Sequence, residues 1–332
     1  MRSKEGQAQL KDAVYRVVLR NKVAVIVIFL GLILNFVTPL FLTSTNLFNV
    51  LRQITTTAIL SVGFTLVLGA REIDLSVGAL LGLVGVILAK LLVAGVPIWL
   101  AIAIGLAFGT VCGMAGGIII TLFEIPAFIV TLATAQVYRG ANYLITGMAP
   151  VTKLSESFAF IGQGYLGPIP IPVCILAVVF VIVVVVVNKT LFGRHAIAVG
   201  GNIEAARLCG IKVMRVRVGV YAVAALCASI GAVVMTARAA SAQIGAGQGM
   251  EMDAITAVVI GGTPLYGGNA NVIGTLFGCM IVGMVNNGLN LLGIDSNWQV
   301  VAKGLLILFA VLSDVLTTRF YENVRRRQTL AE

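Results

Sequence analysis

The sequence predicts an all-α, multi-pass membrane protein of about ten spans, and three observations carry that prediction. Apolar residues make up 59% of the 332 residues and charged residues only 11%, whereas a soluble domain carries about 25% charged residues; mean hydropathy is +1.04. The apolar residues fall into runs of about 20, the length a helix needs to cross the hydrocarbon layer. Most of the positive charge sits between or beyond those runs, in three basic blocks.

Taken in order, residues 1–22 form a basic tail with Arg2, Lys4, Lys11, Arg16, Arg20 and Lys22. The apolar run behind it, 23–42, has no small-residue cleavage site and reads as an uncleaved first span rather than a secretory signal. Residues 43–53 read as a polar connector rich in Thr and Asn. The second span, 54–70, ends at Arg71-Glu72-Ile73-Asp74. Residues 75–95 and 97–123 form a Gly-rich hairpin turning at Gly95-Val96-Pro97, and 126–146 is a shorter, more polar span. A loop runs on to Pro172. The β-branched run 173–187 is the sixth span, and it reads as a helix because an isolated strand in lipid leaves its backbone groups unsatisfied.

A basic, glycine-marked island at 188–217 divides the chain. It holds Lys189, Arg194, Arg207, Lys212, Arg215 and Arg217 against one acid, Glu204. Span 218–237 follows it. The apolar stretch 254–262 is too short to cross alone, and Gly261-Gly262-Thr263-Pro264 behind it predicts a broken or shallow helix. Spans 272–292 and 298–316 close the membrane part, and the tail 317–332 carries Arg319, Arg325, Arg326 and Arg327. Positive charge flanking spans is retained in the cytoplasm, so both termini and the island are expected there. Parity is met by six spans before the island, in a first half 23–187, and four after it, in a second half 218–316.

Local patterns recur in the same order in the two halves. Asn46 to Arg52 is echoed by Asn202 to Arg207, Glu72-Ile73-Asp74 by Glu251-Met252-Asp253, and the Gly109 to Gly113 segment by Gly274 to Gly278. In this topology the members of each pair meet opposite sides or run in opposite directions, the pattern of a five-plus-five inverted repeat.

The island is the strongest candidate site. Gly201-Asn202 offers turn and N-cap chemistry, so 203–208 is expected to form a short helix ending near Gly210. Ala205 and Ala206 would let it enter a partner's cleft closely, while Glu204 and Arg207 fix its orientation. Polar groups at membrane depth come next, because an unpaired one is costly. Asn286, Asn287 and Asn290 share a helical sector, and Thr131, Thr134 and Gln136 lie in the fifth span. Each could line a path for a hydroxylated substrate, or bond between helices instead. Lys303, inside the last span, is expected to pair with Asp295, Glu251 or Asp253. Glu72 with Asp74, and Glu251 with Asp253, lie at span ends without a nucleophile or metal partner, which favours capping and loop ion pairing over catalysis. The lone His195 beside Arg194 and the scattered cysteines Cys112, Cys174, Cys209, Cys227 and Cys279 form no catalytic, metal or disulfide pattern. Trp99 and Trp298 read as interfacial anchors and Lys90 as a snorkelling side chain. The pairs Gly78/Gly82 and Gly109/Gly113 permit close helix approach.

The string Gly200-Gly201-Asn202-x-Glu204-Ala205-Ala206-Arg207-Leu208-x-Gly210-Ile211 carries a resemblance, together with Glu72-Ile73-Asp74-Leu75-Ser76-Val77-Gly78, Asp253-Ala254-Ile255 with Gly261-Gly262-Thr263, and Asn286-Asn287-Gly288-Leu289-Asn290. It resembles the permease subunits of bacterial ABC importers for ribose and related simple sugars. The similarity covers about 42–312, although Arg71-Glu72 stands where many relatives have a small residue and Gly. The resemblance implies a bacterial inner-membrane protein paired with a second permease copy or paralogue, which receives sugar from a periplasmic binding protein. It also implies that 201–211 docks on an ATPase subunit, which holds the ATP and Mg; this chain would bind no cofactor of its own. Branches of that family handle pentoses, hexoses, nucleosides and the autoinducer-two signal.

No G-x-x-x-x-G-K-[ST] occurs, so the usual ATP-hydrolysing loop is absent from the sequence. An ion-coupled secondary transporter with inverted repeats is the main rival, but it calls for intramembrane carboxylates, and here the acids gather near span ends. A membrane enzyme lacks a metal set or a nucleophile with its base. The net charge of +10 lies beside spans, where it meets membrane lipid, and not on a basic face suited to nucleic acid.

Overall fold

The computed structural model describes residues 22–329. The N-terminal basic block from Arg2 to Arg20 lies outside the described residues, as do the side chains of the tail block at Arg319 and Arg325 to Arg327. The elements are α1 (Lys22–Val37), α2 (Ser44–Gly69), α3 (Val77–Val93), α4 (Ile98–Leu122), α5 (Ala127–Thr146), α6 (Glu156–Gln163), a two-stranded hairpin of β1 (Tyr165–Leu166) and β2 (Ile169–Pro170), α7 (Ile171–Lys189), α8 (Leu191–Gly201), α9 (Ile203–Leu208), α10 (Val213–Ala239), α11 (Met250–Ile260), α12 (Val272–Leu291) and α13 (Ser296–Thr329). The chain is an all-α, multi-pass membrane protein. Helices α2, α4, α7, α10 and α12 are long and apolar enough to cross a membrane on their own. Helices α1, α3 and α13 carry shorter apolar stretches, α5 is more polar, and α11 has only 11 residues.

Several boundaries differ from the sequence expectation, each for a physical reason. The first helix stops at Val37, because Thr38 and Pro39 open a turn before α2. The Thr/Asn-rich stretch 43–53 is helix, not connector: the Thr43 hydroxyl accepts from the Asn46 N–H as an N-cap, and the Asn46 side chain is buried against α12. The loop 147–172 contains α6 and the hairpin. The island is mostly helical, with Thr190 capping α8 through Gly193 N and Asn202 capping α9. The broken helix begins at Met250, earlier than Ala254, and α13 runs past Leu316 to Thr329.

Helix α2 lies at the centre, with 78% of its most apolar window buried, whereas only 17% of the corresponding window of α4 is buried within the protomer. The same neighbour pairs recur when α2 is exchanged with α10, α3 with α11, α4 with α12 and α5 with α13. Thus α10 packs on α4 as α2 packs on α12, α3 on α4 as α11 on α12, and α3 on α5 as α11 on α13. The four helices of each half thus repeat one arrangement of neighbours. The echoed motifs are not its register, however. Glu72 to Asp74 precede α3, whereas Glu251 to Asp253 lie inside the first turn of α11. Gly109 sits mid-way along α4, whereas Gly274 opens α12.

Glycines let these helices approach closely. On α4, a side chain at Gly113 would meet Ala225 and the Tyr221 carbonyl, and one at Gly109 would meet Ser229, so a stripe at intervals of four fits against α10. Two segments break the helical run. Glu72 binds Arg217 while Leu81 faces Gly231; those α10 positions are 14 residues, or about 21 Å, apart. The non-helical chain from Glu72 to Ser76, which bends at Leu75 and Ser76, therefore runs into the protein, and α3 starts part-way across. Segment 240–249 leads into α11 through a run of turns over 244–249, and it meets the start of α3 together with the first residues of α11: a side chain on Gly82 would lie 2.5 Å from the Ala246 carbonyl oxygen, and Gly78 packs directly on Gly247 and Glu251. Gly247, at φ 80°, lies against the Gly78 carbonyl, a position only glycine fits.

Candidate functional site

Three loops converge at one end of the bundle, the island end. The amide N–H of Gly268 donates to the Gly69 carbonyl at 3.0 Å, Gly200 packs on Gly69 and Ala70, and Gly201 packs on Gly268. On that platform stands α9. The Asn202 Oδ1 accepts from the Ala205 N–H at 2.9 Å, which starts the helix, and Gly210 at φ 80° ends it. Glu204 and Arg207 face each other at 3.5 Å, both largely exposed. Ala205 is exposed, but Ala206 is buried and joins the main core. Ala206 therefore seats the helix on the protein, which corrects the expectation that both alanines face outward. The sequence reading also passed over Leu208, an apolar side chain left 89% exposed beside Arg207. An exposed Leu directly after a charged pair was the available signal.

The island is tied to the bundle below it. Arg217 Nε donates to the Glu72 carboxylate, and the Tyr221 hydroxyl donates to its other oxygen at 2.9 Å. Asp74, also buried, accepts from the Ser76 amide and hydroxyl. Asp74 thus orders its own turn, while Glu72 forms an ion pair and caps no helix; its partners, one helical turn apart on α10, were not legible in advance.

The intramembrane candidates divide. Asn287 and Asn46 exchange amide hydrogen bonds at 2.9 and 3.1 Å, so Asn287 clamps α12 to α2 and is closed to a ligand. Asn290 accepts from Gln299 at 2.8 Å. Thr131 and Thr134 return their hydroxyls to their own helix, at Ala127 O and Val130 O, while Gln136 is exposed on the face of α5. Asn286 differs. Its buried Oδ1 has no hydrogen-bond partner among the described residues, and it lines a cavity of about 170 Å³ between α2, α10, α11, α12 and α13.

Lys303 pairs with Asp253 at 2.9 Å on the wall of that cavity. Asp295 instead accepts from Asn297 N, and Glu251 takes Arg139 of α5 at 3.1 Å. Of the three acids expected for Lys303, the structure selects one. The first turn of α11 therefore holds α5 through Glu251 and α13 through Asp253.

Comparison with known proteins settles the family. The family model described as "Branched-chain amino acid transport system / permease component" matches residues 46–311. The chain belongs to this permease family. It is 42% identical over 293 residues to the ribose import permease protein RbsC of Bacillus subtilis (strain 168), covering 86% of this chain and 91% of that one. Against RbsC of Haemophilus influenzae it is 40% identical over 303 residues, with 90% and 94% covered; against RbsC of Escherichia coli K12 it is 40% identical over 286 residues, with 85% and 89% covered. No solved structure matches the chain significantly. The family match spans every element from the start of α2 to well inside α13, and so includes α9, the broken helices and the cavity.

Proposed function

We propose that this permease is the membrane subunit of an ABC importer that passes a simple sugar of the ribose type across the inner membrane, driven by a separate ATPase. The observation that carries this reading is α9: a capped helix, seated by Ala206, that presents Glu204, Arg207 and Leu208 outward at the junction of the two membrane halves. A helix so short gains little from propensity alone, so its caps and its seat hold it ready for a partner. The ATPase, with ATP and Mg on it, would grip α9 from the cytoplasm. A periplasmic binding protein would deliver sugar to the opposite end, and two permease copies or a copy with a paralogue would share the ATPase pair.

The relatives carry ribose in their names, whereas the family description names branched-chain amino acids. The identity of 40% or more over most of the chain favours the sugar. Co-purification of the cognate ATPase with the tagged permease tests the proposal. Replacing Arg207 by Glu is expected to reduce the recovered ATPase at least several-fold while leaving permease yield unchanged, since the exposed Glu204–Arg207 pair itself contributes little stability, about 0.5 kcal/mol or less. Undiminished ATPase recovery with that variant would remove α9 from the contact.

A further inference from the structure

The loop between α11 and α12, residues 261–271, is built as a rigid fixture at the island end. Its two arms are tied at the base: the Thr263 hydroxyl accepts from the Asn271 N–H at 2.9 Å, and the Asn271 side-chain amide donates to the Gly261 carbonyl at 2.9 Å. Its tip is a tight turn, closed by the Gly267 N–H donating to the Pro264 carbonyl at 3.1 Å. Leu265 packs against the main core. Tyr266, the next residue, is left 56% exposed. A loop closed in this way loses little freedom when a partner binds it.

Its place decides what it can meet. Gly268 bonds to the end of α2 through the Gly69 carbonyl, and α2 is the most buried of the five long apolar helices. The loop therefore lies over the middle of the bundle end rather than on its rim. Gly268 also packs on Gly201, the residue before the Asn202 cap of α9. Tyr266 is two residues from that contact, at most about 7 Å of chain. It thus stands near one end of α9 while Leu208, 89% exposed, stands at the other, with the exposed Glu204–Arg207 pair between them. Tyrosine and arginine are the residue types that carry much of the energy of protein interfaces.

Arg71 supplies a second observation. Its backbone sits at φ 62°, in the left-handed region that strains every bulky side chain. Gly267 lies so close to it that a side chain there would meet the Arg71 Cβ at 2.6 Å. Arg71 is exposed and has no acid partner among the described residues. Backbone strain of this kind gathers at functional sites. A cation without an acid of its own, beside an exposed tyrosine, complements a surface that carries a carboxylate.

We propose that Arg71 and Tyr266 form a second contact with the ATPase, in which an acidic group bordering the cleft that takes α9 receives the Arg71 guanidinium and the Tyr266 ring packs beside it. The proposal rests on the docking of α9 argued above and extends that footprint to the loop.

The test is photo-cross-linking in the intact permease–ATPase complex, with p-benzoylphenylalanine placed at position 266 and, in a second preparation, at position 208 as the reference on α9. Both positions are expected to cross-link to the ATPase. A product from 208 without one from 266 would overturn the proposal and leave α9 docking standing, as would a product from 266 with lipid or a second permease copy in place of the ATPase. No ATPase product from either position would remove both readings. Arg71→Gly tests the charge. Glycine fits φ 62° without strain, so permease yield and the unfolding midpoint should not fall, while ATPase recovery on co-purification at about 0.15 M salt drops about three-fold. The deficit should shrink at about 1 M salt, where exposed charges are screened. Undiminished recovery with Arg71→Gly, or a deficit of the same size at both salt concentrations, would also overturn the proposal.

Discussion

Glu72, 7% exposed, shows how single residues hold the island to the bundle. Its two oxygens are taken by Arg217 and Tyr221 of α10, so the climb of 72–76 into the protein is fixed at its base. Removing one partner of a buried pair costs about 3–5 kcal/mol, because the remaining charge is left uncompensated. Arg217→Met is therefore expected to lower the thermal unfolding midpoint of the detergent-solubilised protein by several degrees. Arg217→Lys should restore part of the loss, having the charge without the planar guanidinium. An unchanged midpoint for Arg217→Met would mean that the pair does not hold the segment. At this scale the sequence was legible where chemistry is local: the Asn202 cap and the Glu204–Arg207 pair lie within a few residues of one another. It was silent on Arg217 with Glu72, Asn46 with Asn287 and Arg139 with Glu251. Each joins residues more than 100 positions apart, and no local pattern encodes such a pairing.

Among the elements, α11 has the widest reach for its length. Its C-terminal end leads into the loop that rests on Gly69 and Gly201 beside α9, and its first turn grips α5 and α13 through two ion pairs. A push on α9 thus has a contiguous route through packed backbone to the helices bordering the polar cavity, the kind of rigid linkage that transmits a two-state motion. Lys303→Met would leave Asp253 beside that cavity without its cation, at a cost of about 1–2 kcal/mol for so partly exposed a pair. ATP-driven uptake in proteoliposomes is expected to fall about ten-fold, and Lys303→Met with Asp253→Asn together should recover part of it. Wild-type uptake by the single variant would discard the tie. The broken helix was anticipated from its shortness and its glycines. Its earlier start was not, because the turns and bends at 72–76 and 240–249 have no periodicity to read, and the polar start of α2 reads as a connector in sequence although its Asn46 is buried against α12.

For the whole molecule, hydropathy and charge alone yielded the helical, multi-pass class and the place of the island in the chain, since those follow from the length of an apolar run and the cost of moving charge through lipid. The symmetry between the halves lies in the packing of helices rather than in the motifs that first suggested it: burial requires only apolar and small residues at the contacts, so the two halves need not share particular residues. The account as a whole depends on the α9 end facing the cytoplasm and being covered by the ATPase. Cys209, exposed immediately after α9, reports on both at once. A membrane-impermeant maleimide is expected to label Cys209 in inside-out vesicles and not in intact spheroplasts, and co-expression of the ATPase should suppress that labelling. Labelling of Cys209 from the outside of intact spheroplasts would contradict the account.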